Sequence, residues 1–402
     1  MSSTQRESPH YLDHAATTPM VPEAVDEMHV RLTEVGNASS LHGSGRRARR
    51  LLEEARERLA AAVSAEPRDV VFTAGGTESD NLAVKGLFWA RNQPGGRRRV
   101  LVSAVEHHAV LDAARWLTQH EGAEVELLPV DDAGTLRLDP LQESLTADPD
   151  GVALVSCMWV NNEVGTVQPV ADVVASAHHH GVPVHTDAVQ AVGQLPLDLH
   201  ALGADAVTLS GHKVGGPVGV GALVVRRETE LVPLLHGGGQ ERDVRSGTAD
   251  VASVCAFAVA VELAVRRQDT QAARLRGLRD VLVAAVRTVV PDAVHNGPPV
   301  SAGPDTRVPG IAHLTFPGCA GDDLLLLLDA AGVECSTGSA CTSGVPEASH
   351  VLFAMGCDEA AARGSLRFSL GHDSTDVDVA AVVAAIGPAV QRARAAVLAR
   401  TA

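Results

Sequence analysis

A repeated alternation of short β-branched runs with longer stretches rich in Ala, Leu, Arg and Glu, from about residue 50 to 225, most constrains the fold. Such runs favour strands, and strands that alternate with helices form βαβ units with a parallel sheet. The runs are DVVFT (69–73), RRVLVSA (98–104), GVALVSC (151–157), VPVHTDA (182–188), DAVTLS (205–210) and VGALVV (220–225). The sequence therefore predicts an α/β fold in which a mainly parallel mixed sheet is flanked by helices.

The remainder of the chain has a different pattern. Residues 258–290 are typical of one or two long helices, and a terminal amphipathic helix is expected around 376–399. The first of these stretches carries the chain away from the sheet. We therefore expect a large domain over 17–263 and a smaller α+β domain made of 1–16 and 264–402.

Charge and composition argue against several classes of protein. The formal net charge of −16 disfavours direct nucleic-acid binding, which needs a basic surface. No run of about 18 apolar residues is present and the N-terminus is polar, so we expect neither a membrane span nor a signal peptide. The six cysteines show no CxxC pair or regular spacing, which indicates reduced thiols in a cytoplasmic protein rather than disulfides or a metal site.

Polar residues follow five of the predicted strands. The clusters are AGGTESDN after DVVFT, VEHH after VLVSA, MWVNNEVG after ALVSC, TDAVQ after VPVH and SGHK after DAVTL. In open parallel sheets, ligands bind beyond the carboxyl ends of the strands. The repeated junction therefore predicts that one edge of the sheet is a functional site.

The first cluster has the chemistry of a phosphate site. Gly75 and Gly76 permit a tight turn with free backbone N–H groups, and Thr77, with Asp80 three residues later, can cap the helix that begins there. Such a helix N-terminus holds a phosphate well. An ordinary helix cap is the alternative. The cluster matches neither GxGxxG nor a Walker loop, so neither a dinucleotide nor a nucleoside triphosphate is indicated.

The SGHK cluster contains Lys213, one of only two lysines in the chain. Arginine cannot replace lysine where a neutral amine must attack a carbonyl, because guanidinium does not lose its proton in proteins. Lys213 is therefore a Schiff-base candidate. The alternative is a solvated loop lysine, whereas the other lysine, Lys85, is expected in a helix with no such role. Asp187 ends the preceding strand, and a phosphate cradle, an amine and a carboxylate together fit pyridoxal 5′-phosphate.

A wider resemblance runs from about residue 11 to 372. It is carried, in order, by YLDHAATTP, GNASSLH, FTAGGTESDNLAVKG, EHHAVL, VNNEVGTVQPV, HTDAVQAVG, LSGHKVGGPVGVGAL, HGGGQERDVRSGT, STGSACTSG and RFSLGH. This set resembles the cysteine desulfurases, which are pyridoxal-phosphate enzymes of the class V aminotransferase group. The resemblance implies the fold of PLP-dependent aminotransferases (fold type I), with the cofactor bound by the large domain.

The resemblance also implies a role for each residue around the cofactor. Lys213 matches the lysine that binds it covalently, Asp187 the partner of the ring nitrogen, and Gln190 the partner of the ring hydroxyl. His107 matches the histidine that stacks on the ring and moves protons, and Asn162 matches a contact to cofactor and substrate. The phosphate-binding positions are matched by Gly76, Thr77, Ser210 and His212, and by Thr248, which would reach the phosphate bound in the other subunit of a homodimer.

Two further matches concern the substrate. Arg367 matches the arginine that binds the substrate carboxylate through two hydrogen bonds. Cys341 matches the nucleophile, within a loop at about 335–347 whose small, polar residues suit sulfur delivery; a buried, inert thiol is the alternative. The continuation SGVPEASHVL is similar to the long-loop branch of the family. Cys335 lies where the family commonly has serine, and we expect it to take no part; resolution of a persulfide into a disulfide is the alternative.

The resemblance implies a sulfurtransferase that converts L-cysteine to L-alanine and leaves a persulfide on Cys341. The sulfur would pass to an acceptor protein for iron–sulfur cluster assembly, tRNA thiolation or DNA sulfur modification. The alternatives are a selenocysteine lyase, an aminotransferase or epimerase on the same scaffold, and a binding platform that has lost its activity. An aminotransferase or epimerase needs no thiol, and a binding platform predicts loss of the site residues, which are present here.

Overall fold

Helices and short strands alternate along most of the computed structural model, which describes residues 9–92, 96–299, 302–303, 305–338 and 348–401. The strands in these ranges are β1 (His10–Tyr11), β2 (Val70–Thr73), β3 (Arg99–Ser103), β4 (Glu124–Leu128), β5 (Val152–Ser156), β6 (Val184–Asp187), β7 (Ala206–Ser210), β8 (Gly221–Val225), β9 (Val294–Asn296), β10 (Ile311–Thr315), β11 (Val333–Glu334) and β12 (Ser365–Ser369). The helices are α1 (Pro22–Leu32), α2 (Gly43–Ala62), α3 (Gly76–Arg91), α4 (His108–Glu121), α5 (Leu138–Ala147), α6 (Val170–His179), α7 (Leu199–Leu202), α8 (Val251–Arg266), α9 (Gln268–Val289), α10 (Gly321–Asp329), α11 (His350–Ala354), α12 (Glu359–Arg363) and α13 (Asp376–Thr401).

The largest sheet has seven strands in the order β2–β8–β7–β6–β5–β3–β4. Its neighbouring strands are parallel except at β8, which runs antiparallel to both β2 and β7. The predicted α/β fold with a mainly parallel mixed sheet is confirmed. Strand β4 was not predicted; it is the last strand on one side of the sheet and exposes Glu124 and Leu127. An edge strand tolerates polar residues, so its composition gave no clear strand signal.

Helices cover both faces of this sheet because its strands have apolar side chains on both faces. Every residue of β5 is buried. On one face of the sheet, Ala153 belongs to a core with Phe88 of α3 and residues of α4. On the other face, Val155 belongs to a core with Phe257 of α8 and residues of α2. Alternate side chains of one strand thus hold the two helix layers.

A second core lies in the last third of the chain. Strand β10 pairs antiparallel with β9 and with β12, and β1 from the N-terminal segment pairs in parallel with β11. Helices α9, α10 and α13 pack around these strands, with Phe316 and Phe368 fully buried. The stretch 258–290 contains the second half of α8 and all of α9, two helices separated at Arg267. The division of the chain into two domains near residue 263 stays a prediction.

The last helix, α13, is long and apolar enough over Asp376–Arg400 to cross a membrane, by length and composition alone. No helix of membrane-spanning length and composition was expected from the sequence. One side of α13 is buried in the second core through Val379, Val382 and Ile386. Helices in the cores of globular proteins commonly have the same length and apolar composition. The packing of α13 against the second core therefore describes its role in this fold better than its composition does.

Candidate active site

The predicted strand-end clusters meet at one edge of the seven-stranded sheet. Strands β5, β6 and β7 are parallel, and Thr73 at the end of β2 and Ser210 at the end of β7 both pair with Gly221 of the antiparallel β8. The carboxyl ends of these strands therefore point the same way. The loops that follow them bring the predicted site residues together at this edge.

Lys213 lies in a short helical turn directly after β7. Its Nζ donates to the carbonyl oxygens of Ala15 and Ala16, at 2.6 Å each, and the side chain is half-buried. Burial and, to a smaller extent, the nearby positive charge of Arg367 together lower the pKa of Lys213 to about 8. About a tenth of an amine with this pKa is neutral at pH 7, against less than about one part in a thousand for a lysine of ordinary pKa. The neutral form is the one that attacks carbonyl carbon.

Asp187 is the last residue of β6 and is buried. Its Oδ1 accepts a hydrogen bond from the Val189 backbone N–H at 2.8 Å. Burial raises the pKa of Asp187 to about 7, and the Asp80 carboxyl raises it as well, whereas Lys213 lowers it. A positive charge brought next to Asp187 would favour its ionised form.

His107 caps the N-terminus of α4, where its Nδ1 accepts a hydrogen bond from the Ala109 backbone N–H at 3.1 Å. Because Nδ1 is an acceptor, the proton of the neutral ring lies on Nε2. Burial lowers the pKa of His107 to about 4, with a contribution from Lys213. The ring is therefore neutral at physiological pH and lies within electrostatic range of the lysine.

The start of α3 forms a narrow backbone cradle against β7. A Cβ added at Gly76 would lie 3.2 Å from Val189 Cγ2 and 3.5 Å from Ser210 Cβ, so only glycine allows this approach without displacement of its neighbours. The predicted side-chain cap of α3 by Thr77 is wrong. Gly75, with a φ of 148°, occupies the cap position, and its φ favours glycine. Thr77 lies exposed in the first turn of α3, so it is available to a ligand rather than to the helix.

The remaining predicted phosphate-binding residues lie in two places. Ser210 is buried at the end of β7, and His212 Nδ1 is 3.2 Å from Thr17 Oγ1. Burial and the charge of Lys213 lower the pKa of His212 to about 4, so its imidazole is neutral. Thr248 is exposed on the loop before α8. Its predicted role in a second copy of the chain stays a prediction.

Arg367 reaches the site from β12 of the smaller sheet. Its Nη1 donates to the Asn162 carbonyl oxygen at 2.9 Å, and its Nη2 donates to Asp13 Oδ1 at 2.7 Å. Gln190 Nε2 donates to the Ala15 carbonyl oxygen at 2.9 Å, the same oxygen that Lys213 uses. These contacts connect the N-terminal segment, both sheets and the loop at Asn162.

The predicted loop contains two cysteines, Cys335 and Cys341. Cys341, the predicted nucleophile, lies outside the described residues. Cys335 is buried, and burial raises the pKa of its thiol to about 12. A thiol with this pKa is almost fully protonated at neutral pH and is a poor nucleophile.

Several groups that surround the site were not predicted as part of it, and Asp80 was assigned only to a helix cap. The Ala15 and Ala16 carbonyls hold Lys213, and Asp13 pairs with Arg367. Asp80 is buried 3.5 Å from His185 Nε2, and burial raises the pKa of Asp80 to about 7 while it lowers that of His185 to about 4. The segments YLDHAATTP and FTAGGTESDNLAVKG contain Asp13 and Asp80, but a motif alone does not reveal contacts between residues far apart in sequence.

Comparison with known families adds independent information to this geometry. The model of the family described as aminotransferase class-V matches residues 10–382. This range includes all three sheets of the described residues and each predicted site residue.

Individual relatives match over nearly their full lengths. The chain is 57% identical to a protein of Mycobacterium tuberculosis named "IscS-like cysteine desulfurase", over 97% of this chain and 98% of that protein. It is 42% identical to "Cysteine desulfurase IscS" of Dictyoglomus turgidum, over 92% and 91% of the two chains. A solved structure titled "NifS-like protein" superposes with a TM-score of 0.87 at 33% identity, covering 96% of this chain and all of that one.

Proposed function

The chain belongs to the class V aminotransferase family and, within it, to the cysteine desulfurases, and from that premise we propose how it takes sulfur from L-cysteine. The overall reaction joins L-cysteine and the thiol of Cys341 to give L-alanine and a persulfide on Cys341. One carbon–sulfur bond breaks and one sulfur–sulfur bond forms. The β-carbon gains a hydrogen in place of sulfur, and the proton lost by the Cys341 thiol balances it. Reduction of this carbon offsets the oxidation of the two sulfur atoms, so no external oxidant or reductant is needed.

The observation that carries the proposal is the environment of Lys213. Its side chain is half-buried, its amine is held by two carbonyl oxygens, and its pKa is lowered to about 8. Surface lysines with an ordinary pKa are almost fully protonated at neutral pH, and a protonated amine does not attack carbonyl carbon. The only other lysine, Lys85, has its Nζ 4.4 Å from the centre of the Trp116 ring, away from these groups.

The residues of the site fit pyridoxal 5′-phosphate. Lys213 would bind its aldehyde, Asp187 would face its ring nitrogen, and the cradle at Gly76 and Ser210 is open to a phosphate at the N-terminus of α3. When bound, the cofactor withdraws electrons from the α-carbon of an amino acid. The buried Asp187 carboxyl supports the fit, because a pyridinium would supply the positive charge that stabilises its ionised form.

The chain's own groups can bind the substrate and move protons. The amine of Lys213 has a pKa suited to accept and return a proton. His107 holds its proton on Nε2, the ring nitrogen that its backbone contact leaves free. Arg367 presents a buried guanidinium to the substrate carboxylate.

The decisive experiment replaces Cys341 by Ser and measures alanine and sulfur release from L-cysteine by the cofactor-loaded enzyme. We expect Cys341→Ser to keep the bound cofactor and to lose alanine formation by on the order of a hundredfold or more, since the hydroxyl cannot accept sulfur. Cys335→Ser is the matched control, because that thiol is buried and protonated. Equal turnover by Cys341→Ser and the parent would exclude Cys341 as the sulfur acceptor.

We propose that the persulfide passes directly to an acceptor protein, as in the long-loop branch. The acceptor would be an iron–sulfur scaffold protein or an enzyme of tRNA or DNA thio-modification. The resemblance of SGVPEASHVL to that branch supports direct transfer. Capture experiments with the persulfidated enzyme, compared with Cys341→Ser, would identify the acceptor.

We propose further that the enzyme is a cytoplasmic homodimer. Thr248 is exposed, which agrees with a contact to a second copy. The five described cysteines are free, as expected in a reducing compartment. Gel filtration of the active enzyme at the mass of one chain would contradict the dimer.

A further inference from the structure

A row of polar side chains crosses the three-stranded sheet next to the substrate site. Asn296 of β9, His313 of β10 and Arg367 of β12 are direct neighbours in the strand register. Directly opposed residues of antiparallel strands project from the same face of a sheet. Arg367 reaches Asn162 and Asp13 from this face, so His313 lies on the side of the sheet that faces the site.

The hydrogen bonds of Asn296 fix the protonation of His313. Asn296 Nδ2 contacts His313 Nδ1 at 2.9 Å and Thr315 Oγ1 at 2.8 Å. The amide nitrogen has two protons and can only donate, so His313 Nδ1 accepts and carries no proton. The ring is fully buried, and burial together with Arg367 lowers the pKa of His313 to about 3. His313 is therefore neutral, with its single proton on Nε2.

That proton has no acceptor among the described residues, although His313 is completely buried. The same holds for the Nε proton of Arg367, which is also buried. Buried donors in folded proteins are nearly always paired. Two unpaired donors on adjacent strands of one face therefore indicate an acceptor that binds there.

Gly338 lies against the Nε2 side of the His313 ring. A Cβ at Gly338 would lie 3.2 Å from His313 Nε2 and 3.5 Å from Glu163 Oε2, so a larger residue at this position would crowd the unpaired donor. Glu163 Oε2 accepts a hydrogen bond from Ser349 Oγ, and the Glu163 carboxylate makes no hydrogen bond to His313 Nε2. The acceptor must therefore come from outside the described residues.

We propose that His313 is a substrate-binding residue, whose Nε2–H joins Arg367 in binding the α-carboxylate of the amino-acid substrate. The inference rests on the proposed function and deepens it. A carboxylate has two oxygens, each able to accept a hydrogen bond, which matches the two unpaired donors. The charge on Arg367 selects an anion, and the neutral His313 adds a directed donor without a second positive charge.

The test compares two probes, L-alanine and ethylamine, which differ by the carboxylate alone. Each is titrated against the enzyme loaded with pyridoxal 5′-phosphate, and binding is followed by the visible absorbance of the cofactor. We expect His313→Phe to raise the dissociation constant of L-alanine about tenfold and to change that of ethylamine by less than about twofold. His313→Gln, which keeps an N–H donor, should recover most of the loss.

His295→Phe is the matched control, since His295 belongs to the neighbouring strand β9 and projects from the opposite face of the same sheet. It should leave both dissociation constants unchanged. Equal weakening of the two probes by His313→Phe, or unchanged L-alanine binding, would overturn the inference. If His313→Phe does not fold, His313→Met is judged by the same criteria. A parent enzyme that showed no absorbance response to L-alanine would instead contradict the proposed function.

Discussion

The carboxyl ends of the strands in the seven-stranded sheet and the facing side of the three-stranded sheet present different kinds of polar group to the site. At the large sheet, burial brings the pKa of Lys213 to about 8 and that of Asp187 to about 7. At the small sheet, Arg367 is held in an ion pair with Asp13 and His313 is kept neutral by burial. The first region thus includes two groups that change protonation near neutral pH, Lys213 and Asp187, whereas the second offers a neutral imidazole and a guanidinium paired with an acid.

This difference indicates that the two regions have different roles, one in proton exchange and one in substrate binding. Groups with pKa values close to the working pH can exchange protons during a reaction. Groups of fixed charge and fixed donor geometry bind and orient a substrate. Substitutions in the large sheet should therefore affect the chemical step, and substitutions in the small sheet should mainly affect substrate binding.

The largest expected effect is that of Lys213→Ala. Loss of the amine should abolish the visible absorbance of the covalently bound cofactor and lower kcat on the order of a thousandfold or more, since no other lysine lies at the sheet edge. Absorbance spectra and alanine release measure the two effects. Lys85→Ala removes the only other lysine and should change neither. An unaltered spectrum in Lys213→Ala would show that Lys213 does not bind the cofactor covalently. It would also contradict the role of the large sheet in the chemical step.

A smaller effect is expected for Arg367→Lys, the test of the small sheet. Lysine keeps the charge but loses the paired N–H donors, so KM for L-cysteine should rise about tenfold to a hundredfold while kcat changes less. Steady-state kinetics separate the two parameters. Arg363→Lys is a suitable control, because Arg363 forms an exposed ion pair with Glu359 on α12. A fall confined to kcat would show that the small sheet also takes part in the chemical step.

The smallest effect concerns pH. In the cofactor-free protein the neutral form of Lys213 is the nucleophile, and its fraction rises with pH through the pKa of about 8. The initial rate of reconstitution with pyridoxal 5′-phosphate should therefore rise about fivefold from pH 7 to pH 8 and level off above pH 9. Stopped-flow absorbance gives this rate. A rate that continues to rise towards pH 10 would mean that the tertiary structure leaves the lysine with its ordinary pKa.

Most of the large sheet could be predicted because its strands are locally encoded. The run GVALVSC became the fully buried β5, and VPVHTDA became β6 with Asp187 at its end. Strand β4 was missed because an edge strand need not be apolar. The side-chain cap at Thr77 was wrong because Gly75 adopts a positive φ, which sequence patterns do not specify.

The candidate site was predictable in its members but not in its interactions. Lys213 and Asp187 follow from residue type and position at strand ends, and Arg367 was assigned through resemblance to a family. The partners of these residues were not predicted. Asp13 lies 354 residues from Arg367 in sequence, and the carbonyl of Ala15 lies 198 residues from Lys213.

The sequence by itself determined the order of strands and helices, the residue types at the sheet edge and the family to which the chain is similar. These depend on preferences that act over a few neighbouring residues. The tertiary structure alone decided that Lys213 has a lowered pKa, that Arg367 pairs with Asp13 and that His313 has an unpaired N–H. Proton affinity and hydrogen-bond pairing depend on burial and on charges from distant parts of the chain, which meet only when the protein folds.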